Sequence, residues 1–322
     1  MSAAYIMEEV QTKTAGQLEP VDYLIIAAGS DTRSYEILRK YKKLNFDLKA
    51  VYVFEFDERK KELTGHDLIK HNEYSEFGYP FKVFKGSIDD PKPYLNEINS
   101  TSTLNNDNKI GIDLSSFTKP FFFTIFKFFE LIKLNHVTAY YTEPKAYVFN
   151  TGTYDSYRSS MGSHIVKEIP SFTGNNVADQ DPVLVILLGF DGGLSREISD
   201  EIGPGRTILI NGFPGFEPEY KDLSLINNER LLSDESKELV YGRANNPFEI
   251  CNVLSEKLKE FSNNTLINLA PIGSKPMALG ACIYAIRNEN VRVVYPVPDK
   301  YGIANNSDVG KTWGYKIPLI SE

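Results

Sequence analysis

The chain has 322 residues, 42% of them hydrophobic and 12% aromatic, with a formal net charge of −8 and a pI of about 5.3. That length holds about two domains with sizeable cores, and the acidic balance argues against a surface that coats DNA or RNA, while leaving room for a local cationic pocket. Two cysteines without CxxC spacing, Cys251 and Cys282, argue against a disulfide framework or a zinc site, and the first 20 residues lack the apolar run of a signal peptide. A cytoplasmic protein with no membrane segment is the expectation.

The first apolar run, Val21 to Ala28, has the pattern of a buried parallel strand. Gly29-Ser30-Asp31-Thr32-Arg33 is the turn after it, and Ser34 to Lys43 reads as a basic helix. Lys49 to Phe56 is a second strand, ending in Glu55-Phe56-Asp57, and a helix over Glu58 to Lys70 follows. A short strand at Phe81 to Phe84, a helix over Asp89 to Ile98 and a polar loop from Asn99 to Lys109 come next. The strand Lys109 to Leu114 leads through Ser115, Ser116, Phe117, Thr118 and Lys119 into the helix Pro120 to Leu134. That helix is too short and too charged to span a membrane. Its polar residues leave one narrow stripe, so it is expected to be buried against the sheet and a second element, from the other domain or another subunit. A homodimer or a partner protein is expected beside a small ligand. Val137 to Tyr141 is the strand that closes the first half.

Asn150 to Gln180, rich in Ser, Gly, Asn and Asp, reads as a connector. Val183 to Leu188 is again a buried strand, Gly189 to Ser195 its loop and Arg196 to Ile202 a helix. Arg206 to Asn211 is a strand, and the glycines and prolines of Gly212 to Tyr220 predict a shaped loop at its C-terminal end. Asn246-Pro247-Phe248-Glu249 is a helix start, with N-cap Asn, N1 Pro and N3 Glu. Ile267, Asn268 and Leu269 end a strand, Ala270 to Pro276, with Gly273-Ser274-Lys275 in it, is the loop after it, Met277 to Arg287 a small-residue helix and Val291 to Tyr295 the next strand. Tyr301 to Tyr315 reads as a polar and aromatic tail.

Two features recur in the same order. Leu24 to Asp31 matches Val185 to Asp191, and Thr118-Lys119-Pro120 matches Ser274-Lys275-Pro276. The alternation of strand and helix in both halves predicts an α/β fold: two tandem Rossmann-like domains with mainly parallel sheets and an internal duplication. The first domain is expected over residues 1–150, a connector over 151–181 and the second domain over 182–322.

Strand-end loops that open helices offer unpaired backbone N–H groups and a positive dipole to an anion. The candidate ligand-binding residues are therefore Gly29, Asp31, Arg33, Thr118, Lys119, Gly189, Asp191, Gly273, Ser274 and Lys275, with a nucleotide-like small molecule as the expected ligand. Asp31 and Asp191 can equally serve as helix N-caps, and Glu55 or Asp57 stands where such folds grip a ribose. His66, His71, His136 and His164 are scattered, and no HExxH, Walker lysine motif, GxSxG or complete GxGxxG is present. No catalytic residue and no metal site emerges.

From Asn268 to Tyr295 the chain resembles the CARF family, Rossmann-like sensors of cyclic oligonucleotides in antiviral defence systems. The residues that carry the resemblance are Gly273, Ser274, Lys275, the small-residue helix and the strand Arg292-Val293-Val294-Tyr295; Ile272 stands where the family usually has a second glycine. The resemblance implies binding of a nucleotide-derived messenger, in some members with slow phosphodiester cleavage. A second resemblance, at Ala27-Ala28-Gly29-Ser30-Asp31-Thr32-Arg33 and Glu55 to Asp57, is to carboxyl methyltransferases that use S-adenosylmethionine. Ala27 replaces that family's first glycine. A purely structural interaction protein is the third alternative.

Overall fold

The computed structural model describes residues 18–29, 32–56, 74–87, 92–101, 103–147, 160–174, 181–301 and 306–319. In chain order the elements are β1 (Tyr23–Ala27), a 3-10 turn (Thr32–Tyr35), α1 (Glu36–Lys43), β2 (Ala50–Phe56), β3 (Phe81–Gly86), α2 (Lys92–Ser100), β4 (Ile110–Asp113), α3 (Lys119–Leu131) and β5 (Val137–Tyr147). There follow β6 (Ser160–Thr173), β7 (Val183–Leu187), α4 (Gly192–Ile202), β8 (Arg206–Gly212), α5 (Tyr220–Asn227), α6 (Glu229–Leu232), β9 (Glu238–Gly242), α7 (Pro247–Leu258), β10 (Ile267–Pro271), α8 (Lys275–Arg287), β11 (Val291–Tyr301) and β12 (Asn306–Ile317). The helix expected over Glu58 to Lys70 lies outside the described residues.

These elements form two six-stranded sheets, ordered β12-β5-β4-β1-β2-β3 and β6-β11-β10-β7-β8-β9. Five strands of each are parallel, and the sixth pairs antiparallel with β5 or β11. The order of the parallel strands is the same in both sheets, so the two are Rossmann-like copies of one α/β unit, as the paired sequence features predict. In each, strand order reverses beside the first strand: β1 lies between β2 and β4, and β7 between β8 and β10.

The parallel strands form where the sequence is apolar without alternation. Every residue of β7, Val-Leu-Val-Ile-Leu, is buried, as both faces of a helix-covered sheet require. In the first sheet Leu24, Ile26, Val51 and Val53 pack on Ile37, Leu38 and Tyr41 of α1. In the second, Leu184, Ile186 and Leu209 pack with Leu194 and Ile198 of α4.

The chain divides into two compact units, but not at its middle. The first comprises the chain up to Phe117, Ile132–Tyr147 and the stretch from Asn306 onward; the second comprises Thr118–Leu131 and the chain from Val148 to Asn305. Two expected boundaries are thereby corrected. The stretch read as a connector contains β6, which pairs with β11, and the stretch read as a tail is β12, which pairs with β5. Both strands are edges, so they need no continuous apolar run, and their polar composition hides them.

Helix α3 is buried from Pro120 to Phe126 and again at Phe129, with Lys127 and Glu130 half-exposed and ion-paired at 3.1 Å. It packs on α8 and β6 within the second unit, where Phe123 meets Phe172 edge-on at 5.6 Å. It ends at Leu131 and not at Leu134, because Lys133 takes a left-handed backbone with φ of 58°. Among the described residues no helix is long and apolar enough to cross a membrane, and no group of His, Cys, Asp and Glu side chains could hold a metal ion.

Candidate functional site

In the second unit the strand ends at the reversal point meet closely. A Cβ on Gly189 would stand 2.8 Å from the Ile272 carbonyl oxygen, and one on Gly273 would stand 3.0 Å from the Leu188 carbonyl oxygen. Only a bare backbone lets the loops after β7 and β10 touch in this way. The first unit repeats the arrangement: a Cβ on Gly29 would stand 2.9 Å from Ser116 Oγ. The glycines shared by the two halves thus serve loop-to-loop contact.

Onto the β10 loop comes Lys119, the first residue of α3. Its Nζ donates to the Ile272 carbonyl at 2.6 Å and lies 5.9 Å from the centre of the Tyr295 ring. Burial strips water from the ammonium, and a carbonyl dipole with a ring face replaces that hydration incompletely. The pKa of Lys119 is pulled down to about 7 by this desolvation.

The next residues of the same loop open α8. Ser274 Oγ accepts from Met277 N at 3.3 Å, capping the helix, and donates to the Ala244 carbonyl at 2.5 Å. Lys275 and Pro276 are the first two helical residues, and Lys275 is half-buried. Thr118, the counterpart of Ser274, does not cap α3 by its side chain: its hydroxyl is buried with no hydrogen bond among the described residues, while its carbonyl accepts from Phe122 N at 3.2 Å.

Asp191 is the N-cap of α4, accepting from Leu194 N at 3.4 Å. The capping alternative therefore describes its geometry. Gly189 and Phe190 are held by three side chains that sequence reasoning did not single out. Ser224 Oγ and Asn228 Nδ2 donate to the Gly189 carbonyl at 3.1 and 2.9 Å, and Asn227 Nδ2 donates to the Phe190 carbonyl at 2.8 Å. The Asn227-Asn228 doublet, where α5 ends, is the trace of this collar in the sequence.

The loops after β8, β9 and β10 are tied together as well. Phe213 N donates to the Gly242 carbonyl at 2.8 Å and Ala244 N to the Pro214 carbonyl at 3.1 Å, and Ser274 reaches Ala244 as described. The expected irregular loop gives way to α5 at Tyr220, its expected last residue.

In the first unit, Arg33 is buried, 7% exposed, and donates to the Thr142 carbonyl at 3.3 Å. Asp113 Oδ1 accepts from Ser115 N and Ser115 Oγ at 2.9 and 2.5 Å, and Ser115 Oγ in turn accepts from Thr142 N at 2.8 Å. Arg33 and Gly29 thus sit with a buried polar cluster at the C-terminal ends of β1 and β4, beside the middle of β5. Glu55 is buried with Lys85 3.9 Å away. Asp31, Asp57, His66 and His71 lie outside the described residues, and His136 is exposed.

No family model matches this sequence, and no curated protein matches it. Among solved structures, the chain is similar to a type III CRISPR defence DNA nuclease activated by cyclic oligoadenylate, with a TM-score of 0.51 and 10% identity over 86% of this chain. It covers 65% of that nuclease chain. At such identity the likeness is one of fold alone. The cytoplasmic domain of a prokaryotic cation chloride cotransporter aligns over 89% of this chain and 99% of its own, at 8% identity and a TM-score of 0.28. A short-chain dehydrogenase/reductase from Sinorhizobium meliloti covers 87% of this chain and 96% of its own, at 9% identity and a TM-score of 0.22.

Proposed function

We propose that this chain senses a nucleotide-derived ligand, cyclic oligoadenylate being the first candidate, and that Lys119 with the Gly273-Ser274-Lys275 loop takes a phosphate of it. The observation that carries the reading is the Lys119 ammonium, desolvated and held 2.6 Å from the carbonyl of the residue that begins this loop. A neutral carbonyl is a modest partner for a buried cation, and a phosphate oxygen is a far stronger one. The helix α8 N-terminus and Lys275 lie in the same loop and favour the same sign of charge. The solved neighbour whose activator is a cyclic oligoadenylate supports the ligand class, and with it a role in antiviral defence.

Titration calorimetry against cyclic oligoadenylates of several ring sizes tests the reading. Wild type is expected to bind one of them, and Lys119→Ala to bind it roughly tenfold to a hundredfold more weakly, from about 1.5–3 kcal/mol per charge-assisted hydrogen bond. Absence of binding by the wild type to every ring size, with no nucleotide copurifying, would overturn it.

A further inference from the structure

Beside the loops after β8, β9 and β10 stand two large aromatic side chains that are partly in solvent. Phe213 is 51% exposed and Tyr241 44% exposed. Their rings lie 6.1 Å apart at 75°, edge to face. Phe213 follows β8 directly, and Tyr241 belongs to the edge strand β9, paired with Asn211. Neither ring fills a core, so packing does not account for them at these positions. One cation stands beside Phe213: Lys221 Nζ, which also pairs with Asp222 at 3.0 Å, lies 5.3 Å from the Phe213 ring. The backbone of Phe213 is joined to Gly242, that of Pro214 to Ala244, and Ala244 to Ser274, so the ring is fixed to the same framework as the proposed phosphate loop.

We infer that Phe213, flanked by Tyr241, is the platform on which a base of the ligand stacks, with Lys221 facing the ligand's phosphates. This rests on the reading of the Gly273-Ser274-Lys275 loop as the phosphate site. An exposed ring beside a cation suits a nucleobase attached to phosphate: the base offers a π face, and the backbone offers the opposite charge. A flat aromatic platform tolerates any base, so it contributes affinity for a nucleotide as a class.

The test uses the full chain and cyclic tetra-adenylate, together with any other ring size that the wild type binds. Phe213→Ala is expected to weaken binding on the order of tenfold to a hundredfold, and Phe213→Trp to retain it. The melting temperature should be unchanged in both, since the side chain stands in solvent. If the wild type binds and Phe213→Ala binds equally well, the platform is refuted while the phosphate loop stands. If the wild type binds no nucleotide, both fall together. If Phe213→Ala leaves affinity intact but lowers self-association in sedimentation, the rings are covered by a second copy of the chain, and the base-stacking assignment is likewise overturned.

Discussion

Lys119 and Ile272 lie 153 residues apart in sequence, yet the Lys119 ammonium donates to the Ile272 carbonyl at 2.6 Å. This one bond joins the start of α3 to the loop that opens α8. The two helices follow equivalent strands of the two sheets, so the bond links one copy of the hydroxyl-Lys-Pro sequence to the loop of the other. Under the proposed function it sets opposite demands on stability and on binding.

Lys119→Met should separate those demands. Methionine keeps the length and apolar stem but removes a charge that burial disfavours, so stability at pH 7 should rise by about 1–3 kcal/mol. Nucleotide affinity should fall in the same variant. Urea unfolding and calorimetry on one preparation check both; a variant that is less stable and equally able to bind would contradict the assignment.

The pH dependence follows from the lowered pKa of about 7. Between that value and the ordinary lysine range the unfolded chain holds a proton that the folded chain lacks, so this residue makes stability rise with pH across the window. Bound phosphate should restore the proton. Binding above pH 7 should therefore take up a proton and weaken as pH increases, whereas below pH 7 the uptake should vanish. Calorimetry in buffers of different ionisation enthalpy measures that uptake directly, and Lys119→Met should abolish it.

Ser274 and Thr118 offer a matched pair. Ser274→Ala removes an N-cap bond and a bond to the Ala244 carbonyl, and should cost about 1–2 kcal/mol of stability. Thr118→Val removes a hydroxyl with no hydrogen bond among the described residues, and should be neutral or slightly stabilising. Equal losses in denaturant titrations of the two would show that the sites are more alike than their geometry.

Gly189→Ala tests the contact between the loops after β7 and β10. The added methyl would stand 2.8 Å from a backbone oxygen, so a loop has to move. A loss of roughly 1–3 kcal/mol is expected, with nucleotide binding weakened as well because Ile272 carries the bond to Lys119. Thermal unfolding with and without ligand checks it.

The fold was legible where chemistry is local. The apolar runs marked β1, β7 and β10, and Asn246 caps α7 as its sequence predicts, its Oδ1 accepting from Phe248 N and Glu249 N at 3.1 and 3.2 Å. The candidate loops were legible as lying at parallel strand ends, because connectivity fixes that end of the sheet. What sequence could not rank were Lys119 and Lys275, each between a hydroxyl residue and a proline: tertiary packing supplies the desolvation that distinguishes Lys119. The exposed Phe213 and Tyr241 were hidden for the opposite reason, since a lone aromatic in a sequence reads first as core.

The edge strands carry a consequence for how this chain can be made. After β5 leaves the first sheet the chain enters β6 of the second, and after β11 leaves the second it returns as β12 of the first. A ribosome therefore cannot release a finished first sheet until the closing residues have emerged. The β5 edge must wait, unpaired, while some 160 residues of the second unit are synthesised. A cut near residue 150 would yield one fragment with an open edge and another with a spare strand, each holding what the other lacks. Such fragments are suited to reassociation on mixing, and poorly suited to life apart.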